Sequence, residues 1–338
     1  GNMSSIHRGM KNKHKDLSDS LSIAYDEKKV ISRSYLPVFL KKINGSIFSD
    51  LFERFYGVEL ESEKQQWFGG DGKELRGSIE KGDKRGDAIV GLVEHKTNRI
   101  ACFSYYSGKK ESEKTCLEDL IEKQQMWSSN LTFDALHLSP TLTSKIEQSS
   151  GTYIIGLKGN QGILNAQMEL HTELEIPTNT FENREVGHGR IEERYYESYD
   201  IQEVLFDKRW SNSGFKTLFK VRRKITENKT GKQSDEIRYY ISNGQIDNTK
   251  KTTEANLYFE TIRNHWSCEV TNHYRDVTLK EDHLKTKYSK VTKTVASIRS
   301  LIINALLINK PKNMAALLDD FNDNFDYLIA YLKAIRFL

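Results

Sequence analysis

Through the middle of the chain, short apolar runs alternate with segments whose apolar residues recur at helical spacing. Short apolar runs predict strands, and these runs are 67–73, 88–93, 100–106, 131–135 and 153–157. The polar link 96–98 predicts a hairpin between the second and third runs. Helical spacing over 117–126 and 139–148 predicts two helices, and Asn160 is expected to cap a third. This order predicts a mixed or parallel sheet with helices on its faces.

The pattern changes after residue 176. Strand-like segments separated by polar turns predict an all-β insertion, with strands at 190–199, 216–225 and 236–242. The chain then has helical spacing over 253–273, 290–307 and 314–338. For the last segment there are two interpretations: a helix that packs against the core, and a helix that contacts a second copy of the chain.

The N-terminal region is polar and then helical. Residues 3–30 carry a loose basic cluster and are expected to form a mobile tail. A solvated tail and an arm that touches phosphate are the two open interpretations. Pro37 suits the first turn of a helix, and the spacing over 47–57 predicts another.

These patterns divide the chain into five predicted segments. A basic tail and a small helical unit come first, then an α/β core interrupted by the β insertion, and a C-terminal helix comes last. The predicted boundaries are 1–62, 63–176, 177–244, 245–310 and 311–338.

Composition narrows the class of protein. The chain has 338 residues, 37% of them hydrophobic, which is enough for a sizeable core. Its net charge of +4 permits a polyanionic partner without requiring one. Three cysteines without metal spacing argue against a disulfide framework and a zinc finger, and they favour a reducing cytoplasm. No signal peptide and no apolar run of membrane-spanning length are apparent.

Three acidic residues are candidates for chemistry. Asp71 lies within a predicted strand, Asp134 ends another, and Glu269 lies on a predicted helix between His265 and His273. Each aspartate alone is as well explained as a helix cap or turn residue. The spacing around Glu269 is not that of a zinc protease. Brought together, three carboxylates would repel each other unless they surround hard divalent cations.

Six short motifs, in order, resemble the ISAs1 family of insertion-sequence transposases, within the IS4-like DDE group. The matching segments are 71–78, 134–137, 157–161, 187–190, 238–242 and 264–269. Two features depart from the family pattern: Phe68-Gly69-Gly70 replaces apolar residues, and one residue fewer separates His273 from Asp276.

The resemblance implies a ribonuclease H-like fold in which Asp71, Asp134 and Glu269 are the catalytic and metal-binding residues. It implies two Mg²⁺ ions, replaceable by Mn²⁺, with attack on DNA first by water and then by a 3′-hydroxyl. The implied partner is double-stranded DNA, comprising the terminal inverted repeats of the element and the target, with a homodimer that joins two ends. The resemblance also implies that the protein acts in the bacterial cytoplasm, in association with the nucleoid.

Further basic residues are candidate DNA contacts beside the three acids, namely Lys158, Arg190, Arg275, His137 and His265. Trp266 is expected to pack in the core, with stacking on a flipped base as the alternative. Two other functions stay open: a transposase-derived DNA-binding protein that no longer cleaves, and a nuclease without strand transfer.

Overall fold

The computed structural model describes residues 2–26, 30–45, 48, 52, 54, 66–79, 81–107, 110–187, 189–246, 251–286 and 288–335. Its helices are α1 (Met3–Asn12), α2 (His14–Ser20), α3 (Leu36–Lys42), α4 (Lys110–Lys123), α5 (Pro140–Gln148), α6 (Gly162–Leu174), α7 (Lys251–Asn264), α8 (Ser267–His273), α9 (Ser289–Leu307), α10 (Met314–Asp323) and α11 (Phe325–Ala334). Its strands are β1 (Trp67–Glu74), β2 (Ala88–Glu94), β3 (Ile100–Tyr106), β4 (Asn130–Phe133), β5 (Thr152–Leu157), β6 (Asn179–Gly187), β7 (Arg190–Asp200), β8 (Thr217–Glu227) and β9 (Gln233–Ser242). The predicted helix over 47–57 falls mostly on residues outside this set.

The chain has an α/β fold with a large mixed sheet. Among the described residues, nine strands form this sheet in the order β3-β2-β1-β4-β5-β9-β8-β7-β6. Strand β4 runs parallel to both β1 and β5, whereas β2 and β3 form the predicted antiparallel hairpin. Strand β9 pairs antiparallel with β5, so the predicted β insertion extends the sheet. Within the described residues, no helix is both long and apolar enough to cross a lipid bilayer.

The chain divides into two compact units. The first comprises residues 1–60, 72–120 and 267–338, and the second comprises 61–71 and 121–266. In the first unit, buried Ile303 and Leu306 of α9 pack with Ile100 of β3. The side chain of Asn304 both accepts from the Ile100 amide and donates to its carbonyl, at 2.8 Å each, so α9 completes the hydrogen bonding of that strand.

The core of the second unit lies between α7 and one face of the sheet. Phe259 and Ile262 of α7 pack in one cluster with Trp67 of β1, Ile154 of β5 and Phe219 of β8. Burial of large apolar side chains such as these stabilises the fold by roughly 1.5–3 kcal/mol each. The contacts place α7 across the strands that carry the candidate aspartates.

The N-terminal region differs from the expected mobile tail. Residues 3–20 form α1 and α2, and the Asn2 side chain caps α1 by accepting from the Ser5 amide at 2.9 Å. Met3 and Ile6, three positions apart on one helix face, pack against a buried cluster that includes Leu36. Two apolar residues among many polar ones are a weak sequence signal, but they suffice to dock the helix.

The predicted helices over 253–273 and 314–338 each prove to be a pair of shorter helices. Helix α10 ends at Asp323, and Asn324 caps α11 by accepting from the Tyr327 amide at 3.0 Å. Helix α7 ends at Asn264, and α8 begins at Ser267. Trp266, in the break between α7 and α8, is 57% exposed, so the prediction that it packs in the core is wrong.

Two more local predictions need correction. Strand β6 has alternating burial, yet its sequence is mostly polar and was not recognised as a strand. Asn160 does not cap α6, because α6 begins at Gly162 and Asn160 lies in a preceding 3₁₀ turn. Its side chain instead donates to the Ala135 carbonyl at 2.6 Å.

Candidate functional site

Asp71 and Asp134 each follow a residue of one in-register pair on neighbouring parallel strands. Gly70 of β1 pairs with Phe133 of β4; Asp71 is the next residue of β1, and Asp134 is the first residue after β4. Paired strands lie about 4.8 Å apart, and equivalent positions face the same side of a sheet. Asp71 is half-buried, and the Asp134 side chain is 51% exposed. Continued by one residue, this register predicts that the two carboxylates share one face at the carboxyl end of β4.

The loop after β4 is held by hydrogen bonds from several directions. The Asp134 Oδ1 atom accepts from the Leu136 amide at 2.9 Å. Asn160 holds the Ala135 carbonyl, and Gln161 donates to the Leu138 carbonyl at 2.9 Å. These contacts hold the backbone that follows Asp134 and one of its carboxylate oxygens, so the carboxylate is oriented before any ligand arrives.

Gly156 of β5 allows this loop to approach closely. A Cβ atom added at Gly156 would lie 3.0 Å from the Ala135 backbone nitrogen and 3.5 Å from its Cα. Backbone atoms cannot move away as the end of a flexible side chain can. The glycine therefore sets how near the Asp134 loop lies to β5.

Two histidines border Asp134. His137 is 2% exposed, and its Nε2 atom lies 4.0 Å from Asp134 Oδ1. The Nδ1 atom of His265 lies 2.8 Å from the Thr132 hydroxyl, and either group can be the donor. Burial lowers the pKa of His265 from 6.5 to about 4, with His137 acting in the same direction and Asp134 opposing it. The imidazole of His265 is therefore neutral near pH 7.

The aspartate pair fits a hard divalent cation. Carboxylate oxygens are the ligands that Mg²⁺ prefers, and Mg²⁺ is commonly held by one or two carboxylates together with water and substrate phosphates. Two carboxylates on adjacent strand positions repel each other, which a cation would offset. Among the described residues, no group of three or more His, Cys, Asp or Glu side chains has a metal-binding arrangement. The pair would supply only part of the ligand set of such a cation.

Glu269 lies in the first turn of α8 and is exposed. It belongs to the first unit, whereas both aspartates belong to the second. An acidic side chain in the first turn of a helix is favoured by the helix dipole, so the local position of Glu269 is explained without a ligand.

The other predicted DNA contacts lie in different environments. Lys158 follows β5 directly and is exposed. Arg190 begins β7, is 44% exposed, and pairs with Glu192 at 3.2 Å. His137 is buried and His265 half-buried, so Lys158 and Arg190 are the more accessible of the four.

Arg275 differs from these residues because it is buried. It is 3% exposed and pairs with Glu281 at 3.3 Å, and it donates to the Ala296 carbonyl at 3.3 Å. Glu281 also lies 3.7 Å from Arg299. A guanidinium held in this way is not accessible to a phosphate in this conformation, so Arg275 contacts the interior of the first unit instead.

Sequence reasoning missed three kinds of contributor to the site. Thr132 carries the hydroxyl that meets His265, and the signal for it was a polar residue within the apolar run of β4. Asn160 and Gln161 were not recognised as supports of the Asp134 loop, because nothing local indicates a contact about 25 residues away. Arginines that cluster on β7, β8 and α7 were scattered in sequence and could not be grouped.

The chain is similar in sequence to several proteins of Escherichia coli, some of which are named as transposases. The chain is 30% identical over 248 residues to the protein YbfL of Escherichia coli (strain K12), covering 71% of this chain and 64% of the relative. It is 29% identical over 248 residues to YhhI of the same strain, provisionally named an H repeat-associated transposase, with the same coverage. It is 26% identical over 243 residues to YncI of Escherichia coli O157:H7, provisionally named a transposase, covering 70% and 60%.

These similarities support a transposase family. The chain spans between 60% and 64% of the length of these relatives. No family model matches the chain. The shared region covers about 70% of this chain, which is far more than a single motif could account for.

Proposed function

We propose that this chain is a DDE transposase that cleaves DNA at the ends of an insertion sequence and joins the freed ends to a target. The observation that supports the proposal is the parallel pairing of β1 with β4, in which Asp71 and Asp134 directly follow the in-register residues Gly70 and Phe133. Together with transposase-named relatives, it favours phosphodiester chemistry at this edge of the sheet.

In this proposal, Asp71 and Asp134 hold divalent cations, Mg²⁺ or Mn²⁺, and Glu269 adds a third carboxylate as the family resemblance implies. A bound cation would neutralise phosphate charge and favour ionisation of the attacking oxygen. The protein's part is to position the two carboxylates and the scissile phosphate. Hydrogen bonds to the Asp134 loop fix one of these carboxylates in advance, and such pre-organisation is worth several kcal/mol in phosphoryl transfer.

The sheet order supports a ribonuclease H-like fold. An antiparallel β2-β3 hairpin beside β1, with β4 and β5 parallel on its other side, is the arrangement that the family resemblance implies. We infer that β6–β9 are the β insertion that such transposases carry before their glutamate. This inference rests on strand order and on the position of Glu269 after β9.

The proposed substrate is double-stranded DNA, namely the element's terminal repeats and its target. Lys158 and Arg190 are exposed cations of the second unit and are proposed phosphate contacts. Joining two ends requires two active sites, so a homodimer is part of the proposal.

The test is a cleavage and joining assay. The substrate is a supercoiled plasmid that carries the genomic sequences flanking this reading frame, incubated with Mg²⁺ or with EDTA. Asp71→Asn, Asp134→Asn and Glu269→Gln preserve side-chain size and should each lower the cleavage rate at least about a hundredfold. Asp207→Asn, at an exposed aspartate elsewhere in the second unit, is the matched control and should cleave normally.

Each outcome of this assay distinguishes between the candidate functions. Metal-dependent cleavage with joined products supports the transposase. Cleavage without joining supports a nuclease, and DNA binding without cleavage of any end supports a binding protein. Cleavage at the normal rate by one of the three variants would remove that residue from the active site.

A further inference from the structure

The sheet face that carries the aspartate pair continues across the β insertion. In-register partners on neighbouring strands face the same side of a sheet. Thr132 of β4 pairs with Ile154 of β5, which pairs with Ser242 of β9. From Ser242, every second residue along β9 lies on the same face, and so does Arg238.

The same register extends to β8 and β7. Arg238 pairs with Val221, and two positions further along β8 lies Arg223, which pairs with Arg194 of β7. Near α7 this face is apolar and buried, with Phe219, Val221 and Phe259 in one cluster. Beyond that cluster the face becomes rich in arginine.

These arginines surround two carboxylates. Glu192 is 4% exposed, accepts hydrogen bonds from Arg194 and Arg223, and pairs with Arg190 at 3.2 Å. Although burial alone would raise the pKa of Glu192, its hydrogen bond from Arg223 and the charges of the surrounding arginines lower it overall. Glu192 is thus an ionised, buried carboxylate that fixes the direction of its arginines.

The second carboxylate connects this group to α7. Glu185 of β6 accepts from Arg263 at 2.6 Å and from Arg194 at 3.4 Å. Its pKa is lowered mainly by the hydrogen bond from Arg263. We call Arg190, Arg194, Arg223 and Arg263 the arginine cluster.

The arginine cluster has more donors than its carboxylates use. Four guanidinium groups pair with Glu185 and Glu192. On the same face, Glu227 pairs in register with Arg190, Glu236 pairs in register with Arg223, and Arg238 contacts Glu236, so five cations and four carboxylates leave a local charge of +1. Each guanidinium has five N–H donors, and the Nη1 atom of Arg263 is buried with no hydrogen-bond partner. Arg190 and Arg263 are 44% and 36% exposed, so part of the cluster is open to a ligand.

The arginine cluster also lies close to the candidate site. Arg263 reaches Glu185, whereas His265, two residues later, reaches Thr132 of β4. Two successive trans peptides span at most about 7.6 Å between Cα atoms. The end of α7 therefore joins the arginine cluster to the strand that Asp134 follows.

We propose that the arginine cluster binds the phosphate backbone of DNA beside the Asp71–Asp134 pair. The choice of DNA as the ligand rests on the function proposed above. Guanidinium groups match phosphate oxygens in bidentate geometry, and arginines already oriented by carboxylates lose little entropy on binding. Continuity of the face brings a strand held at the cluster toward the carboxylates.

The opposite face of the same strands has different electrostatics. Arg222, adjacent in sequence to Arg223, forms a two-point contact with Asp235 at 2.6–3.1 Å. On that face Lys220 pairs with Glu197 at 3.1 Å. Glu197 and Asp235 each pair with one of these cations, whereas Glu185 and Glu192 are shared among four arginines, so this face has fewer spare donors for a polyanion.

This difference supplies a matched pair of variants. Arg223→Ala and Arg222→Ala remove the same charge from neighbouring residues on opposite faces. Binding of the 338-residue chain to a fluorescein-labelled DNA duplex of random sequence is followed by anisotropy in EDTA, between about 50 and about 200 mM salt. Arg223→Ala should weaken binding roughly tenfold at low salt and reduce the salt slope by about 0.9, the value for one phosphate contact. Arg222→Ala should change neither quantity.

A second variant guards against misfolding. Arg190→Ala removes the most exposed member of the arginine cluster and leaves Arg194 and Arg223 on Glu192, so it should fold normally and still weaken DNA binding. Thermal unfolding of each variant checks this. Equal effects of Arg222→Ala and Arg223→Ala, or wild-type binding by both Arg223→Ala and Arg190→Ala when folded, would overturn the proposal. So would a change in sedimentation without a change in DNA binding, since the cluster would then contact a second copy.

The outcome is independent of the catalytic proposal. Because binding is measured in EDTA, it does not require metal or cleavage. Loss of binding in Arg223→Ala would support the arginine cluster even if Asp71→Asn cleaved normally. Normal DNA binding by folded Arg223→Ala and Arg190→Ala would reject the arginine cluster as a DNA contact. The catalytic role of the carboxylates would still be tested separately by the cleavage assay.

Discussion

The Thr132 hydroxyl and the His265 Nδ1 atom lie 2.8 Å apart and join β4 to the end of α7. The contact lies two residues before Asp134 on one side and one residue beyond α7 on the other. It therefore fixes the helix end relative to the strand that positions one of the two candidate metal ligands.

Removing this hydroxyl should weaken the fold at the site. Thr132→Val keeps the side-chain volume but leaves an imidazole nitrogen without this partner, at a cost of about 1–3 kcal/mol. Thr132→Ser retains the hydroxyl and is the control. Urea unfolding should give a lower midpoint for Thr132→Val than for Thr132→Ser. Equal midpoints would mean that the hydrogen bond contributes little.

His265 should make stability depend on pH. Its pKa is about 4 when folded and 6.5 as the unperturbed value. Between these values the unfolded chain binds more protons, so stability is full above about pH 6.5 and falls as the pH drops toward about 4. The loss is at most on the order of 3 kcal/mol, since one pKa unit corresponds to about 1.4 kcal/mol.

The comparison for this pH effect is His265→Asn, measured in EDTA. The difference in unfolding free energy between wild type and His265→Asn should shrink as the pH is lowered from about 6.5 to about 4. A constant difference across this range would contradict a depressed pKa for His265.

The approach of β5 to the Asp134 loop can be tested at Gly156. A Cβ atom there would meet the Ala135 backbone at 3.0 Å. Gly156→Ala should therefore destabilise the chain by roughly 1–3 kcal/mol, as overpacking does, and should lower cleavage by displacing Asp134. Gly162→Ala is the control, because nothing lies within 4 Å of its Cβ position. Equal stability of the two variants would show that the loop moves freely.

Arg275 should be essential for folding of the first unit. Arg275→Met removes one of two buried arginines beside Glu281 and leaves Arg299 at 3.7 Å, so the cost should approach but not exceed the roughly 3–5 kcal/mol of a fully broken buried ion pair. Lys220→Met, at a partly exposed ion pair, is the control and should cost about 0–1 kcal/mol. If the two variants unfolded at the same denaturant concentration, the buried pair would contribute no more than a surface pair.

The sequence predicted the strands and helices where local patterns are strong. Runs such as 153–157 are apolar enough to be recognised alone, and Ser139 caps α5 as its type predicts. Strand β6 was missed because its burial alternates over mostly polar residues, and pairing with β7 supplies what its own sequence lacks. The break at Asn324 was missed because apolar spacing continues on both sides of a capping residue.

The candidate site was predictable in part. Acids within and after apolar strands indicated Asp71 and Asp134, and the residues that precede them, Gly70 and Phe133, pair in register on parallel strands. Arg275 shows what the sequence could not predict, because the position of an arginine in the sequence does not indicate whether it contacts a phosphate or a buried glutamate. Only tertiary packing, here the proximity of Glu281, decides that.

The central claim is that Asp71 and Asp134 together hold a divalent cation, and Fe²⁺-directed backbone cleavage tests it most directly. Fe²⁺ replaces Mg²⁺, and ascorbate with peroxide generates hydroxyl radicals that cut the chain near the bound metal. We predict cuts near residues 71 and 134 that excess Mg²⁺ suppresses and that Asp134→Asn removes. Cuts elsewhere, or the same cuts in Asp71→Asn and Asp134→Asn, would contradict a shared metal site at this pair.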